Sequence, residues 1–141
     1  MFECLIMGDS IAVGTKMVRP ECTLIGKGGI NSYQWVNSHI TKIPFVAKTA
    51  IISLGSNDHK YVKTEIELRT IRMNTQADRV YWILPHGNLH SPQNLPIETI
   101  QNIVKKIALE YNDIVLPIKY PSSDGIHPTG QGYKDIAEKT K

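Results

Sequence analysis

Two short motifs carry side chains that could together attack an acyl carbonyl. Ser10 lies in GDSIAVG near the start of the chain, and Asp124 and His127 lie three residues apart in DGIHP near its end. A serine hydroxyl is a weak nucleophile at neutral pH and needs a base to take its proton. His127 can be that base, and Asp124 can hold the imidazole in one tautomer and stabilise its cation. These residues therefore predict a catalytic triad.

Attack on a carbonyl also requires donors for the negative charge that develops on oxygen. The backbone N–H of Ser10 at the start of a helix and the side-chain amide of Asn57 in LGSND are two candidates. A glycine in GKGGINS is the third, because glycine lets the main chain approach a substrate closely. We favour Gly29 for this role, with Gly28 as the alternative.

Each of these residues also has an interpretation without catalysis. Ser10 could be the N-cap of the first helix, and Asn57 could stabilise a turn. Asp124 and His127 could be a turn acid and a surface imidazole, or two ligands of a metal site. A third metal ligand at suitable spacing is missing from the sequence pattern, which argues against a metal.

Alternating apolar runs and helical patterns predict the elements that must position these residues. Strands are predicted over residues 4–8, 22–26, 50–55, 79–85 and 113–118, and helices over 10–19, 31–42 and 62–76, after Ser91 and Pro92, and after Thr129. Near-continuous apolar strands alternating with helices are typical of a parallel sheet with helices on both faces. Ligands bind such sheets beyond the carboxyl ends of the strands, where all the candidate residues fall.

The motifs resemble, in the same order, the four sequence blocks of the SGNH hydrolases, also called GDSL esterases and lipases. GDSIAVG, GKGGINS, LGSND and DGIHP correspond to these blocks, although Ile11 stands where the family name has leucine. The resemblance spans residues 5 to about 133, so one domain over 1–141 is expected. It implies an α/β fold, a three-layer α/β/α sandwich whose flavodoxin-like five-stranded parallel sheet has the order 2-1-3-4-5. It also implies hydrolysis of esters or thioesters without a metal or organic cofactor.

Composition argues against several other classes of function. The net charge of +3 comes from 16 basic and 13 acidic residues that are dispersed along the chain, so a nucleic-acid-binding face is not expected. No apolar stretch approaches the ~20 residues of a membrane span, and the N-terminus lacks the pattern of an export signal. We expect a soluble protein, cytoplasmic by default and of undetermined oligomeric state. Cys4 and Cys22 are expected to be small buried thiols.

The positions of the other histidines, the two tryptophans and Asp58 in the sequence predict where each of them lies. His59 and His86 lie near the predicted rim and are candidates for contact with substrate, and PHGNLH over 85–90 could shape the substrate site. We expect His39 and His90 to be solvated, Trp35 and Trp82 to lie in the core, and Asp58 to brace its loop.

The function that these predictions favour is a serine esterase acting on short acyl esters, foremost O-acetyl groups of carbohydrate. The shortness of the chain predicts little lid over the site and hence an open cleft. A thioesterase or lysophospholipase is the alternative among enzymes. A carbohydrate- or ligand-binding domain that keeps the fold without catalysis is the alternative from another class.

Overall fold

The computed structural model describes residues 1–88 and 92–141, which contain one five-stranded parallel sheet. The strands are β1 (Phe2–Gly8), β2 (Thr23–Gly26), β3 (Phe45–Ser53), β4 (Thr75–Ile83) and β5 (Ile114–Leu116). The helices are α1 (Ser10–Val18), α2 (Ser32–His39), α3 (Thr64–Met73), α4 (Ile97–Tyr111) and α5 (Gly130–Lys139), with a 3₁₀ turn at Ile40–Lys42. The strand order is β2-β1-β3-β4-β5, which confirms the predicted fold class.

Two apolar cores cover the two faces of the sheet. On one face α1 and α5 pack against the sheet through Ile11 and Ile136, and on the other α2, α3 and α4 contribute Trp35, Leu68 and Val104. Trp82 of β4 is buried with Trp35, as predicted. Strands covered on both faces need apolar side chains at successive positions, which explains the continuous runs in the sequence. Within the described ranges, no helix is both long and apolar enough to cross a membrane.

The predictions of where β3 and β4 begin were wrong. Both strands begin about four to five residues earlier than predicted, at Phe45 and Thr75. The early parts of these strands carry polar, partly exposed residues such as Lys48 and Asp78. An apolar run therefore indicates only the part of each strand that both helical layers cover.

The predicted start of α4 was also wrong, because the helix begins at Ile97 rather than at Ser91 and Pro92. Ser91 lies outside the described residues, and Pro92 lies in a turn. Pro96 immediately precedes the helix, and a proline disfavours helical backbone at the residue before it. The helix therefore cannot extend back through Leu95.

The prediction of two free thiols was wrong, since Cys4 and Cys22 form a disulfide with their Cα atoms 4.6 Å apart. Leu5 of β1 and Thr23 of β2 are partners in the parallel register. The residues that precede them are therefore neighbours, and both cysteines are buried. Sequence spacing alone does not reveal the register of two strands.

Candidate active site

Ser10 lies at the junction between β1 and α1, two residues beyond the end of the strand. The N-cap of α1 is Asp9, whose Oδ1 accepts a hydrogen bond of 3.0 Å from the backbone N–H of Ile11. Ser10 is therefore the first helical residue and not the cap. The N–H groups of the first helical turn have no partner within the helix, so that of Ser10 can serve a ligand.

Ser10, His127 and Asp124 form one continuous chain of hydrogen bonds. The Nδ1–H of His127 donates to Oδ2 of Asp124 over 2.7 Å, because a carboxylate oxygen can only accept. Nε2 of the neutral ring then accepts the hydroxyl proton of Ser10, and these two atoms lie 2.7 Å apart. The structure thus brings together all three residues of the predicted triad.

The second oxygen of Asp124 is held by three further donors. Its Oδ1 accepts hydrogen bonds from the Ser122 hydroxyl at 2.8 Å and from the backbone N–H groups of Ile126 and His127 at 2.8 and 2.9 Å. The hydrogen bond from the His127 side chain, followed by these three, holds the pKa of Asp124 well below its usual range. The carboxylate therefore stays ionised, and the 47% exposure of its side chain favours the same state.

The loop after β4 packs against the turn that carries Asp124 and His127. The Nδ1–H of His86 donates to the carbonyl oxygen of Gly125 over 2.7 Å. A Cβ at Gly87 would lie 2.4 Å from the same oxygen, so only glycine permits this close approach. His86 therefore holds the turn in place, which the sequence did not indicate. Its contact with substrate stays a prediction.

Asn57 lies beyond the end of β3, and its amide is oriented by the loop after β2. Nδ2 of Asn57 donates to the carbonyl oxygen of Ile30 over 3.2 Å. A side-chain amide nitrogen carries two hydrogens, so the second remains for an oxyanion.

Asp58 is buried and accepts hydrogen bonds from the backbone N–H of Ser32 at 2.9 Å and from the Thr64 hydroxyl at 2.6 Å. It joins the starts of α2 and α3, which confirms the predicted bracing role.

Gly28 and Gly29 form the centre of a tight turn beside Ser10. The N–H of Ile30 donates to the carbonyl oxygen of Lys27 over 3.4 Å, and Gly29 has a φ of +78°. This is the third position of a type II turn, which requires positive φ and favours glycine. A Cβ at Gly28 would lie 3.9 Å from Cβ of Ser10, whereas one at Gly29 would have no neighbour within 4 Å. Proximity to Ser10 therefore favours Gly28, and the choice of oxyanion glycine stays open.

The other histidines have structural partners where they are described. Nδ1 of His59 accepts a hydrogen bond of 3.2 Å from the backbone N–H of Tyr61, and its contact with substrate stays a prediction. His39 was predicted to be solvated but is half-buried against Trp35, with ring centroids 4.9 Å apart, and burial lowers its pKa. His90 and the end of the predicted substrate-shaping loop lie outside the described residues.

Behind Ser10, burial raises the pKa of Asp9 to about 6, despite hydrogen bonds to Oδ1 from the Ile11 N–H and the Ser53 hydroxyl. Its Oδ2 is buried and has no hydrogen-bond partner among the described residues. The folded state therefore binds this proton more tightly than the unfolded chain does. The free energy of unfolding should fall as the pH rises from about 4 to about 6, by roughly 3 kcal/mol.

We therefore expect Asp9→Asn to be more stable than the parent at pH 8 and to lose this part of the pH dependence. Asparagine is as good an N-cap as aspartate, so the change removes mainly the buried charge. Denaturant unfolding at pH 4 and pH 8 measures the difference, with the exposed Asp78→Asn as a matched control. If the free energy of unfolding changed equally with pH in the parent and in Asp9→Asn, ionisation of Asp9 would not destabilise the folded state.

A hollow of about 470 Å³ borders the glycine turn. Its walls are residues 26–30 and three side chains of α2, Gln34, Ser38 and His39. Among the described parts of the chain, no group of three or more histidine, cysteine, aspartate or glutamate side chains is arranged to hold a metal ion.

Comparisons with known proteins agree with this architecture. No family model and no curated protein sequence matches the chain. Many solved structures resemble it in fold, among them the following three. A GDSL-like lipase from Bacteroides thetaiotaomicron is 17% identical, with a TM-score of 0.67 over 96% of this chain and 83% of that one. A lipolytic protein of the G-D-S-L family from Veillonella parvula is 16% identical, with a TM-score of 0.62 over 96% and 94%.

The third is a catalytic mutant of an acetylxylan esterase from Geobacillus stearothermophilus, 19% identical, with a TM-score of 0.62 over 96% of this chain and 90% of that one. The chain has the fold of the GDSL-type hydrolases. At these identities the likeness establishes the fold, and the chemistry must be argued from the site itself.

Proposed function

We propose that the protein is a serine ester hydrolase of the SGNH family. The observation that carries the proposal is the hydrogen-bonded chain from Ser10 through His127 to Asp124, with both hydrogen bonds 2.7 Å long. An N-cap serine or a surface histidine would not require this alignment across 117 residues of sequence. The amide of Asn57 and the glycine turn supply donors on the same rim of the sheet.

In the proposed mechanism, Oγ of Ser10 attacks the ester carbonyl carbon while its proton passes to Nε2 of His127. The carbonyl oxygen becomes an oxyanion and accepts hydrogen bonds from Asn57, the N–H of Ser10 and a turn glycine. The imidazolium, stabilised by Asp124, then protonates the leaving oxygen and releases the alcohol. Water attacks the acyl-enzyme carbonyl and gives a proton to Nε2 of His127. The imidazolium then passes this proton to Oγ of Ser10 as the bond from Oγ to the acyl carbon breaks and the acid leaves.

The proposed substrates are short acyl esters, with O-acetyl groups of carbohydrate as the leading class. The fold shared with an acetylxylan esterase agrees with this choice. The alternatives are a thioesterase or lysophospholipase, and a binding domain without catalysis.

The direct test is hydrolysis of 4-nitrophenyl esters of unbranched acids of increasing length. We expect kcat/KM to be highest for acetate or butyrate and to fall by eight carbons, because each methylene gains ~0.8 kcal/mol only where it is buried. A rate that climbs steadily to long chains would favour the lipase or thioesterase alternative. No hydrolysis of any ester would favour the binding domain.

Asn57→Ala should lower kcat by ~10²-fold or more with little change in KM, because its amide meets full charge only in the transition state. Steady-state kinetics on the best short ester measure the effects on kcat and on KM separately. Asn37→Ala, on the exposed side of α2, is the matched control and should keep the parent rate. If Asn57→Ala raised KM and kept kcat, Asn57 would be a substrate-binding residue.

A further inference from the structure

The hollow beside the glycine turn extends beyond the oxyanion donors, and no residue of the triad lines it. Its volume of about 470 Å³ is in the range of pockets that bind small molecules. It includes Gly28, whose added Cβ would lie 3.9 Å from Cβ of Ser10. The hollow therefore adjoins the reactive serine, and an acetyl group bound there would leave most of it empty.

The topology of the sheet indicates which part of an ester can reach this hollow. The hollow follows β2, which is one edge strand, and the turn that carries His127 follows β5, which is the opposite edge. Ser10 follows β1, next to β2. The leaving oxygen must lie near Nε2 of His127 to receive its proton, so the alcohol part points toward the β5 side. The carbonyl oxygen points at the glycine turn, and the acyl substituent on the same carbon then lies beside that turn, next to the hollow.

The walls of the hollow combine apolar surface with residues that can donate hydrogen bonds, and they include no carboxylate. Lys27 and Ser38 have donor side chains, and the glycine turn holds the candidate oxyanion donor. Gln34 adds its amide N–H groups, because its Oε1 already accepts from the N–H of Asn31 at 2.9 Å.

Lys27 is exposed and has no carboxylate partner among the ion pairs of residues 1–88 and 92–141. Ile30 is the one branched apolar side chain in the walls. Such walls suit an acyl group whose methylenes lie on the apolar surface and whose far end is an anion that accepts a hydrogen bond from Lys27.

We propose that the hollow is an acyl-binding site that selects acyl groups ending in a carboxylate, as in half-esters of dicarboxylic acids. The proposal rests on the proposed ester hydrolysis and adds carboxylate-ended acyl groups to its short unsubstituted ones, while the alcohol part is unaffected. The carboxylate lies against Lys27 and the hydroxyl of Ser38, and the intervening methylenes pass over the glycine turn. An unsubstituted chain of equal length cannot bind Lys27 in this way and should therefore be the poorer substrate.

The test compares two 4-nitrophenyl esters with the same leaving group and the same number of acyl carbons, the hexanoate and the monoester of adipic acid. We expect kcat/KM to be roughly tenfold or more higher for the adipate monoester, as for a charge-assisted hydrogen bond. Lys27→Gln should bring the ratio of kcat/KM for the adipate monoester to that for the hexanoate close to one. Lys27→Glu should make the hexanoate the better substrate. Lys105→Gln, an exposed lysine of α4, should keep the parent ratio. An equal or faster parent rate on the hexanoate would overturn this proposal and leave the esterase intact.

A binding measurement separates this proposal from the proposed function. In Ser10→Ala, monomethyl adipate should shift the amide resonances of Gly28 and Gly29 in a ¹⁵N correlation spectrum, and the neutral dimethyl adipate should shift them much less. Equal shifts with both ligands, or none, would overturn the acyl site. If the parent hydrolysed neither nitrophenyl ester, the proposed function would fail, and the spectrum would still decide whether the hollow selects a carboxylate.

Discussion

Ser10→Ala should lose ester hydrolysis by roughly 10⁴-fold or more while the fold stays intact. Without its oxygen there is no nucleophile to form an acyl-enzyme, and His127 has no proton to take. The Ser10 hydroxyl contacts only His127 among the side-chain hydrogen bonds of the described residues. We therefore expect the circular dichroism spectrum and the unfolding midpoint to match those of the parent.

Covalent labelling identifies the nucleophile independently of turnover. A serine-directed fluorophosphonate should modify the parent at Ser10 alone and should leave Ser10→Ala unmodified, as mass spectrometry of the peptides would show. Ser123→Ala, an exposed serine on the loop that carries Asp124, is the control and should be labelled and active like the parent. Labelling at another serine, with full activity in Ser10→Ala, would refute the assignment.

The sequence identifies the candidate site because its residues lie in short motifs that end strands. Ser10, Asn57 and His127 each follow a strand of the sheet, and parallel strands end at the same rim. Only local patterns were needed to place them there, and the spacing of Asp124 and His127 already favoured a contact within one turn. The 2.7 Å alignment of Ser10 with His127 depends on how the loops fold and comes from the structure alone.

Features that depend on contacts between distant segments were missed. The Cys4–Cys22 disulfide follows from the register of β1 and β2, and the hydrogen bond from His86 to Gly125 joins two loops that are far apart in sequence. No local pattern indicates either contact. The motif GDSIAVG indicates no separate role for Asp9. In the structure Asp9 caps α1, and its buried Oδ2 has no hydrogen-bond partner among the described residues. Burial of a single carboxylate oxygen depends on tertiary packing, and neither amino-acid composition nor hydrophobic periodicity indicates it.

Asp124→Asn should lower kcat by roughly 10³–10⁴-fold, the size of effect known for the corresponding change in other triads. Three donors, the Ser122 hydroxyl and the backbone N–H groups of Ile126 and His127, point at Oδ1 of Asp124. The carbonyl oxygen of an asparagine must therefore take the Oδ1 position. Its amide nitrogen then faces Nδ1 of His127.

An amide nitrogen can only donate, so Nδ1 of His127 must accept and the proton moves to Nε2. A ring protonated at Nε2 cannot take the proton of Ser10, and the imidazolium loses its counter-charge as well. The ¹⁵N chemical shifts of the His127 ring report this change of tautomer directly, and steady-state kinetics report the loss of kcat. Ser122→Ala, which removes one donor and leaves the carboxylate, is the matched control and should lower kcat far less.

The pH dependence gives a second measure of the same pair. Because the pKa of Asp124 is held well below its usual range, its carboxylate is ionised wherever His127 is neutral. Titration of Asp124 itself should therefore add no step to the pH profile of the parent near neutral pH. A variant that kept kcat within about tenfold of the parent, with Nδ1 of His127 still protonated, would show that Asp124 does not control the tautomer.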